Sequence, residues 1–413
     1  MTNAFRSVAA ILLSTLIFLM GSGLLTTLIP VRAHLAGFSD FGLGVIGSFY
    51  YVGFVLGCFT GPRLFARAGH SRTFAVAAGL ATTATLLQAL NVTVFAWILT
   101  RGLFGFAAAM LYMTMESWLN DRATNETRGR IFASYMVVNY LGLMLGQWLF
   151  VAGRPSSFTL FAMAAIFYAL CPIPVGLTRT PQPTATKVPT LDPLKIFRVS
   201  PVGVAGCIVV GFANAAVWVF LPVYAQDHGM KRGLLAGLMV AFTLGGALSQ
   251  MPVGRLSDRI DRRYVIAGVT LAAAAAGICL YLFGGHSKAL TLALVAVFGF
   301  LSLPLYGLSV AHTNDRLPRE MFVEASATLL LINAVASAFG PVLGAVVTSR
   351  FGTASLFLYT AAFHLMMLAF TLARIGVKAT PPDETREPFE PMPLQAASPG
   401  VIELDPRAPE TAS

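Results

Sequence analysis

Along the chain, apolar runs of 18 residues or more alternate with short polar breaks. Twelve such runs stand out, at roughly 8–31, 41–62, 73–92, 94–119, 129–152, 157–176, 200–225, 232–253, 263–284, 289–312, 322–346 and 354–375. A helix of about 20 residues covers the hydrocarbon core of a bilayer. In lipid every backbone polar group must bond within its own segment, and these runs of Leu, Ala, Val, Phe and Gly suit helices. The ten-residue alternation of a membrane barrel is missing. The pattern therefore predicts an all-α membrane protein of 12 transmembrane helices. The first run follows one basic residue, Arg6, exceeds the core of a signal peptide and precedes no small-residue cleavage motif, so it is expected as the first retained span.

Between runs six and seven lies TRTPQPTATKVPTLDPLKIFRVSP, too polar for the bilayer and too rich in proline for one helix. It divides the chain into a six-span bundle at 1–176, a linker at 177–199 and a second bundle at 200–375. A tail at 376–413, acidic and proline-rich, is expected to be disordered and dispensable for the core activity. The bundles are related in sequence. Shifted by 194 without a gap, the 43 residues from Phe104 and those from Phe298 share twelve identities. Six are polar: Tyr112/Tyr306, Asn120/Asn314, Asp121/Asp315, Arg122/Arg316, Glu126/Glu320 and Asn139/Asn333. Composition alone matches Leu and Ala, not N-D-R in a loop. An internal repeat of this kind organises the whole fold, and parallel repeats of six spans describe one large transporter architecture.

Composition agrees: 56% of residues are hydrophobic and only 11% charged, against about a quarter in soluble domains. Net charge of +10 would point to nucleic acid on a soluble domain, but position overrides the sum. With the N-terminus in the cytoplasm, 21 of the 28 Lys and Arg fall on the cytoplasmic side, six on the other, and Arg101 inside a span. Basic short loops stay cytoplasmic, so both ends are expected inside. No nucleic-acid partner is expected. The four cysteines lie in or beside spans without a C-x-x-C pair, so neither a disulfide framework nor a metal site is indicated, and no cofactor is expected. No H-E-x-x-H, G-x-S-x-G or nucleotide-binding P-loop occurs, which removes hydrolysis and internal ATP use.

Charge concentrates in MPVGRLSDRIDRR at 251–263. Its Gly254, Leu256, Asp258, Arg259, Arg262 and Arg263 resemble the loop signature of the major facilitator superfamily, G-x-L-x-D-R-x-x-R-R/K. In the first half GPRLFARAGHSR keeps Gly61, Leu64, Arg67, Gly69 and Arg72 but has Ala66 where that signature carries aspartate. RGLFGFAAA resembles a second family signature through Arg101 and Gly105, and FGPVLGA a third through Gly340, Pro341 and Gly344. ESWLNDRATNETRGR together with GPRLFARAGHSR is similar to the YcaD-like proteins, an uncharacterised bacterial branch of that superfamily.

The resemblance implies a bacterial inner-membrane transporter, monomeric, whose two bundles rock about a central site lined by spans one, four, seven and ten. It also implies a cytoplasmic gate in which Asp258 meets the positive N-terminal end of span five. Gate candidates are Gly61, Arg67, Arg72, Asp121, Arg122, Gly254, Asp258, Arg259, Arg262, Arg263, Asp315 and Arg316, with the arginines of 259–263 free to pair with Asp315 or Asp121. The competing view, topology anchoring, accounts for arginines but not for Gly254 and Asp258 at this spacing. Substrate or coupling candidates are Arg101, Tyr112, Asn139, Asn214, Trp218, Tyr306 and Asn333. A cation within a span costs on the order of 3 kcal/mol, so Arg101 should face a wet interior or snorkel outward. No carboxylate lies mid-span beside it, which leaves proton coupling, substrate binding and structure open for this residue. Asn139 and Asn333 must face protein, water or ligand, and interhelical hydrogen bonds would satisfy either. The expected function is alternating-access transport of a small neutral, amphipathic or weakly anionic solute, driven by protons and directed outward. The rival is a non-transporting sensor, toward which Ala66 leans.

Overall fold

The computed structural model describes residues 2–124, 126–178, 183, 191–377 and 388–391, side chains of 2–7 and 319 apart. Among the described residues twelve helices long and apolar enough to cross a membrane follow one another: Val8–Leu35, Asp40–Ala68, His70–Leu90, Val94–Arg122, Arg128–Ala152, Thr159–Gly176, Pro201–Asp227, Arg232–Arg259, Arg262–Phe283, Lys288–Asn314, Phe322–Phe351 and Thr353–Ile375. They are spans one to twelve below. Two are broken at proline, which lacks an N–H and clashes with the preceding turn. Span six splits before Ile173 at Pro172, and span ten between Ser302 and Leu305 at Pro304. An even number of crossings puts the start of span one and the end of span twelve on one face, called the terminal face.

The two charged signatures differ from the loops expected of them. Span two stays helical through Ala68 and stops where Gly69 takes φ 78°, a conformation costly for other residues. Span eight runs through Arg259, so Gly254–Arg259 is a helix end rather than a loop. Only Ile260 and Asp261 separate it from span nine, and the Asp261 carboxylate caps span nine by accepting the Arg263 N–H at 2.9 Å. Charged side chains at a helix end reach water while the backbone ladder continues, so nothing forces the helix to stop at the apolar boundary.

The linker is helical over Pro193–Val199, where Asp192 accepts the Lys195 N–H at 2.9 Å and Ile196 is buried. Linker residues 179–182 and 184–190, and most of the tail expected to be disordered, lie outside the described residues. Tail residues 388–391 are described and packed against the second bundle.

What holds each bundle is close backbone approach. Lipid supplies no hydrophobic drive between helices, so packing at small residues must do it. A Cβ on Gly53 would overlap the Gly102 carbonyl of span four, and one on Gly105 the Tyr50 carbonyl of span two. The second bundle repeats both contacts: Gly245 meets the Ala296 carbonyl and Gly299 the Phe242 carbonyl. Gly146 lies on the Met20 carbonyl of span one, and its counterpart Gly340 on the Phe212 carbonyl of span seven. The partners stand 192 residues apart on one side of each pair and 194 on the other. The duplication read from N-D-R is thus carried into packing.

Gly105→Val and Gly299→Val should each lower the melting temperature in detergent, by the several degrees that about 1–3 kcal/mol of overpacking produces. Gly79→Ala, which meets open space, should leave it unchanged or raise it.

Candidate functional site

The two bundles are tied together toward the face opposite the termini. Span two brings Gly44 against Ala345 and the Pro341 carbonyl of span eleven, and Gly47 against Val219 and Pro341. The Gln147 amide of span five donates to Thr243 Oγ1 of span eight at 2.9 Å, both wholly buried. Nearer the surface, His34 Nε2 lies 3.1 Å from Asp227 Oδ1, linking spans one and seven, and Thr353 Oγ1 donates to the same carboxylate at 2.7 Å. The Arg232 guanidinium donates to the Gly153 carbonyl. Gly340, Pro341 and Gly344, singled out for their spacing, thus let span eleven lie close to spans two and seven.

Beneath this closure is a cleft of about 610 Å³, counting its open side. Its walls come mainly from spans one, two and four, and span seven of the other bundle completes it with Trp218 and Val219. Arg101 is the one cation among them. Span four is read from its Val94 end, so Arg101 sits about 10 Å in at 1.5 Å per residue. Its guanidinium carbon stands 4.8 Å from the Tyr50 ring centre and 5.3 Å from that of Phe104. A desolvated cation over aromatic faces gains roughly 2 kcal/mol, comparable with its cost of insertion. No carboxylate pairs with it among the described residues, and its Nε has no hydrogen-bond partner. The side chain faces the seam rather than snorkelling outward. Ser22, Thr26 and Tyr51 add polar edges to the same cleft.

The other candidates are dispersed. Tyr112 is buried edge-on against Phe18 at 5.1 Å and does not line the cleft. Repeat-related Asn139 and Asn333 diverge. Asn139 donates to the Tyr135 carbonyl of its own helix at 2.8 Å, whereas Asn333 donates across to the Cys207 carbonyl of span seven at 2.9 Å. Asn214 reaches the Ser302 carbonyl at 3.5 Å and leaves its own Oδ1 unbonded. Tyr306 packs between the small cores of the second bundle. Glu116, in the inner third of span four, is wholly buried and accepts the Tyr135 hydroxyl at 2.7 Å.

At the terminal face the gate candidates bond within their own bundles. Arg262, with only 1% of its side chain exposed, pairs with Asp315 at 2.7 Å and Asp258 at 3.2 Å, and donates to Ser257 Oγ at 2.8 Å. Arg263 pairs with Asp261 at 2.7 Å, a carboxylate not foreseen for it, and donates to the Ile375 carbonyl. Arg122 lies 3.6 Å from Asp121, its sequence neighbour. Arg259, Arg67 and Arg72 are exposed, and Gly61 packs on Met113. Arg316 is held below its ordinary pKa by burial and then by nearby Arg263. Asp258 accepts the Phe389 N–H of the tail at 2.9 Å.

The model of the Major Facilitator Superfamily matches residues 11–243 and 206–407. The chain belongs to that superfamily. It is similar to the uncharacterized MFS-type transporter YcaD of Salmonella typhi, 25% identical over 91% of this chain and 98% of that one. A second relative, an uncharacterized MFS-type transporter of Enterobacter sp. (strain 638), is 26% identical over 92% and 99%. The fold is that of solved members. A bacterial homolog of the human lysosomal transporter Spinster, in an inward-facing and occupied conformation, superposes with TM-score 0.74 at 15% identity, covering 94% of this chain and 99% of that one. A D-xylose–proton symporter gives 0.71 at 15%, covering 93% and 99%. The nucleoside transporter NupG gives 0.71 at 14%, covering 92% and 100%. The family and these relatives are transporters, not enzymes, and the chain is a multi-pass membrane protein.

Sequence reasoning passed over Tyr50 and Tyr51, and Gln147 with Thr243. A glutamine inside span five, with no charge nearby, was the available signal for the last pair.

In this superfamily member the two carboxylates around Arg262 should separate by role. Asp315→Asn leaves a buried guanidinium without its closest partner and should cost about 3–5 kcal/mol, read as a large fall in melting temperature. Asp258 is a third exposed, so Asp258→Asn should lower it far less.

Proposed function

We propose that the chain is a secondary active transporter that moves a small amphipathic organic solute with a weak negative charge across a bacterial inner membrane by alternating access. The observation that carries this is the seam cleft itself. Residues of both bundles line it, one unpaired guanidinium projects into it over aromatic rings, and the bundles are tied together on one side of it. A carboxylate on an apolar body would satisfy Arg101 and rest on Tyr50, Phe104 and Trp218, gaining a charge-assisted bond where water is scarce. A cationic solute would meet like charge.

The terminal face is taken as cytoplasmic because most Lys and Arg fall there. The closure at 34, 44–47, 147, 227 and 341 is then the outer gate, and the form described here is inward-facing. In the opposite form Asp258 changes partner across the bundles, taking the start of span five, while Arg262 keeps Asp315. Export coupled to protons is favoured by Arg101 and by the Gly340-Pro341-x-x-Gly344 element. The proton site in this reading is Glu116, a fully buried carboxyl 15 positions and so about 22 Å along span four from Arg101. Proton and solute would then occupy separate places joined by one rigid helix.

Reconstituted in proteoliposomes, the protein should move amphipathic carboxylic acids down an imposed pH gradient. Arg101→Gln should cut flux at least tenfold, and Arg101→Lys should restore part of it. Glu116→Gln should retain solute exchange without a gradient but lose accumulation driven by one. Absence of flux for any anionic solute, with the protein folded, would favour the sensor.

A further inference from the structure

Beyond the bundles, one tail segment has a defined seat. Residues 388–391 read Pro-Phe-Glu-Pro, and the two prolines limit the backbone to extended shapes, which lowers the entropy lost on docking. The Phe389 ring lies on Gly254 of span eight and Gly307 of span ten. A Cβ on Gly254 would overlap it, and one on Gly307 would stand 3.0 Å from its Cζ. The ring joins the apolar cluster that includes Val253, Leu305 and Leu308. Beside it, the backbone N–H of Phe389 donates to Asp258 Oδ1 at 2.9 Å. The two signature residues that anchoring does not explain, Gly254 and Asp258, are thus the two that receive the tail. One provides the notch and the other the acceptor.

We infer that residues 388–391 form a strap that seats on the gate surface of the second bundle and holds the inward-facing form, so that the inner gate closes only after the strap leaves. This rests on the gate reading above, in which Asp258 accepts N–H groups at the start of span five when the bundles close. A backbone N–H from the tail now occupies that acceptor, and the Phe389 ring fills the groove where a neighbouring helix would approach Gly254. Both occupants need the same oxygen and the same glycine surface. Their exclusion is steric, and it sets the direction: strap bound, inner side open. A partner or modification that draws the tail away would release the transporter to cycle.

The test uses full-length protein in nanodiscs with spin labels on Ser71→Cys and Arg255→Cys, exposed positions on the two bundles at the terminal face. Phe389→Ala should shift the inward-to-outward ratio toward the closed distance roughly tenfold, the size of losing a part-buried ring while the backbone N–H is kept. Conversely, a disulfide between Gly307→Cys and Phe389→Cys should fix the open distance, and reductant should restore both distances. Identical distance distributions for Phe389→Ala and the unsubstituted chain would overturn the strap, as would a crosslinked protein that still closes. These readouts need no substrate, so the strap can stand where transport fails, and transport can stand where the strap fails.

Discussion

Everything in this molecule depends on how closely one helix backbone can approach another. In lipid, burying a leucine against a leucine gains little over burying it against an acyl chain, so the bundles are held where side chains are missing. Gly53, Gly105 and Gly146 put spans two, four, one and five in backbone contact, and Gly245, Gly299 and Gly340 do the same in the second half. These contacts are rigid because a carbonyl cannot give way as a side-chain tip can. Each bundle is therefore tightly packed within itself, and the contacts between bundles are of another kind: a buried amide–hydroxyl pair, a histidine–aspartate pair near water and small residues against Pro341. Bonds of that kind are each worth about 1 kcal/mol, weak enough to break in a working cycle.

The charges follow the same division of labour. Arg262 with Asp315 is buried inside the second bundle and cannot part without stranding a charge, so it belongs to the rigid body. Asp258, a third exposed, carries no such constraint and is the carboxylate that changes partners in the proposed cycle. Arg101 stands apart from both. Its aromatic neighbours offset desolvation without neutralising it, so a net positive charge persists at the seam. A salt bridge there would have removed the charge from reach.

Much of this was legible in the sequence. Twelve apolar runs became twelve spans, because length and backbone satisfaction leave lipid-embedded chain no other choice. The constant shift between N-D-R motifs disclosed the duplication, and G-x-L-x-D-R-x-x-R-R disclosed the family. What failed to show was anything requiring three-dimensional register. Asn139 and Asn333 are equivalent in sequence, yet one bonds along its own helix and the other across to span seven of its own bundle. Tyr50 reads as one more aromatic in an apolar run, and only its height relative to Arg101 places it, with Phe104, against the guanidinium. Arg263 was paired on paper with distant carboxylates, but Asp261, two residues away, caps span nine and reaches it first.

Proline-rich, acidic composition in a tail argues against an independent core. It says nothing about docking on a surface already built. A single aromatic flanked by prolines needs only a notch and one acceptor, and Gly254 and Asp258 supply them. Any gate that opens by exposing a small residue and a carboxylate creates a peptide-sized vacancy. A segment joined to the last span by about ten residues meets such a notch at high effective concentration, so even weak contacts suffice to fill it.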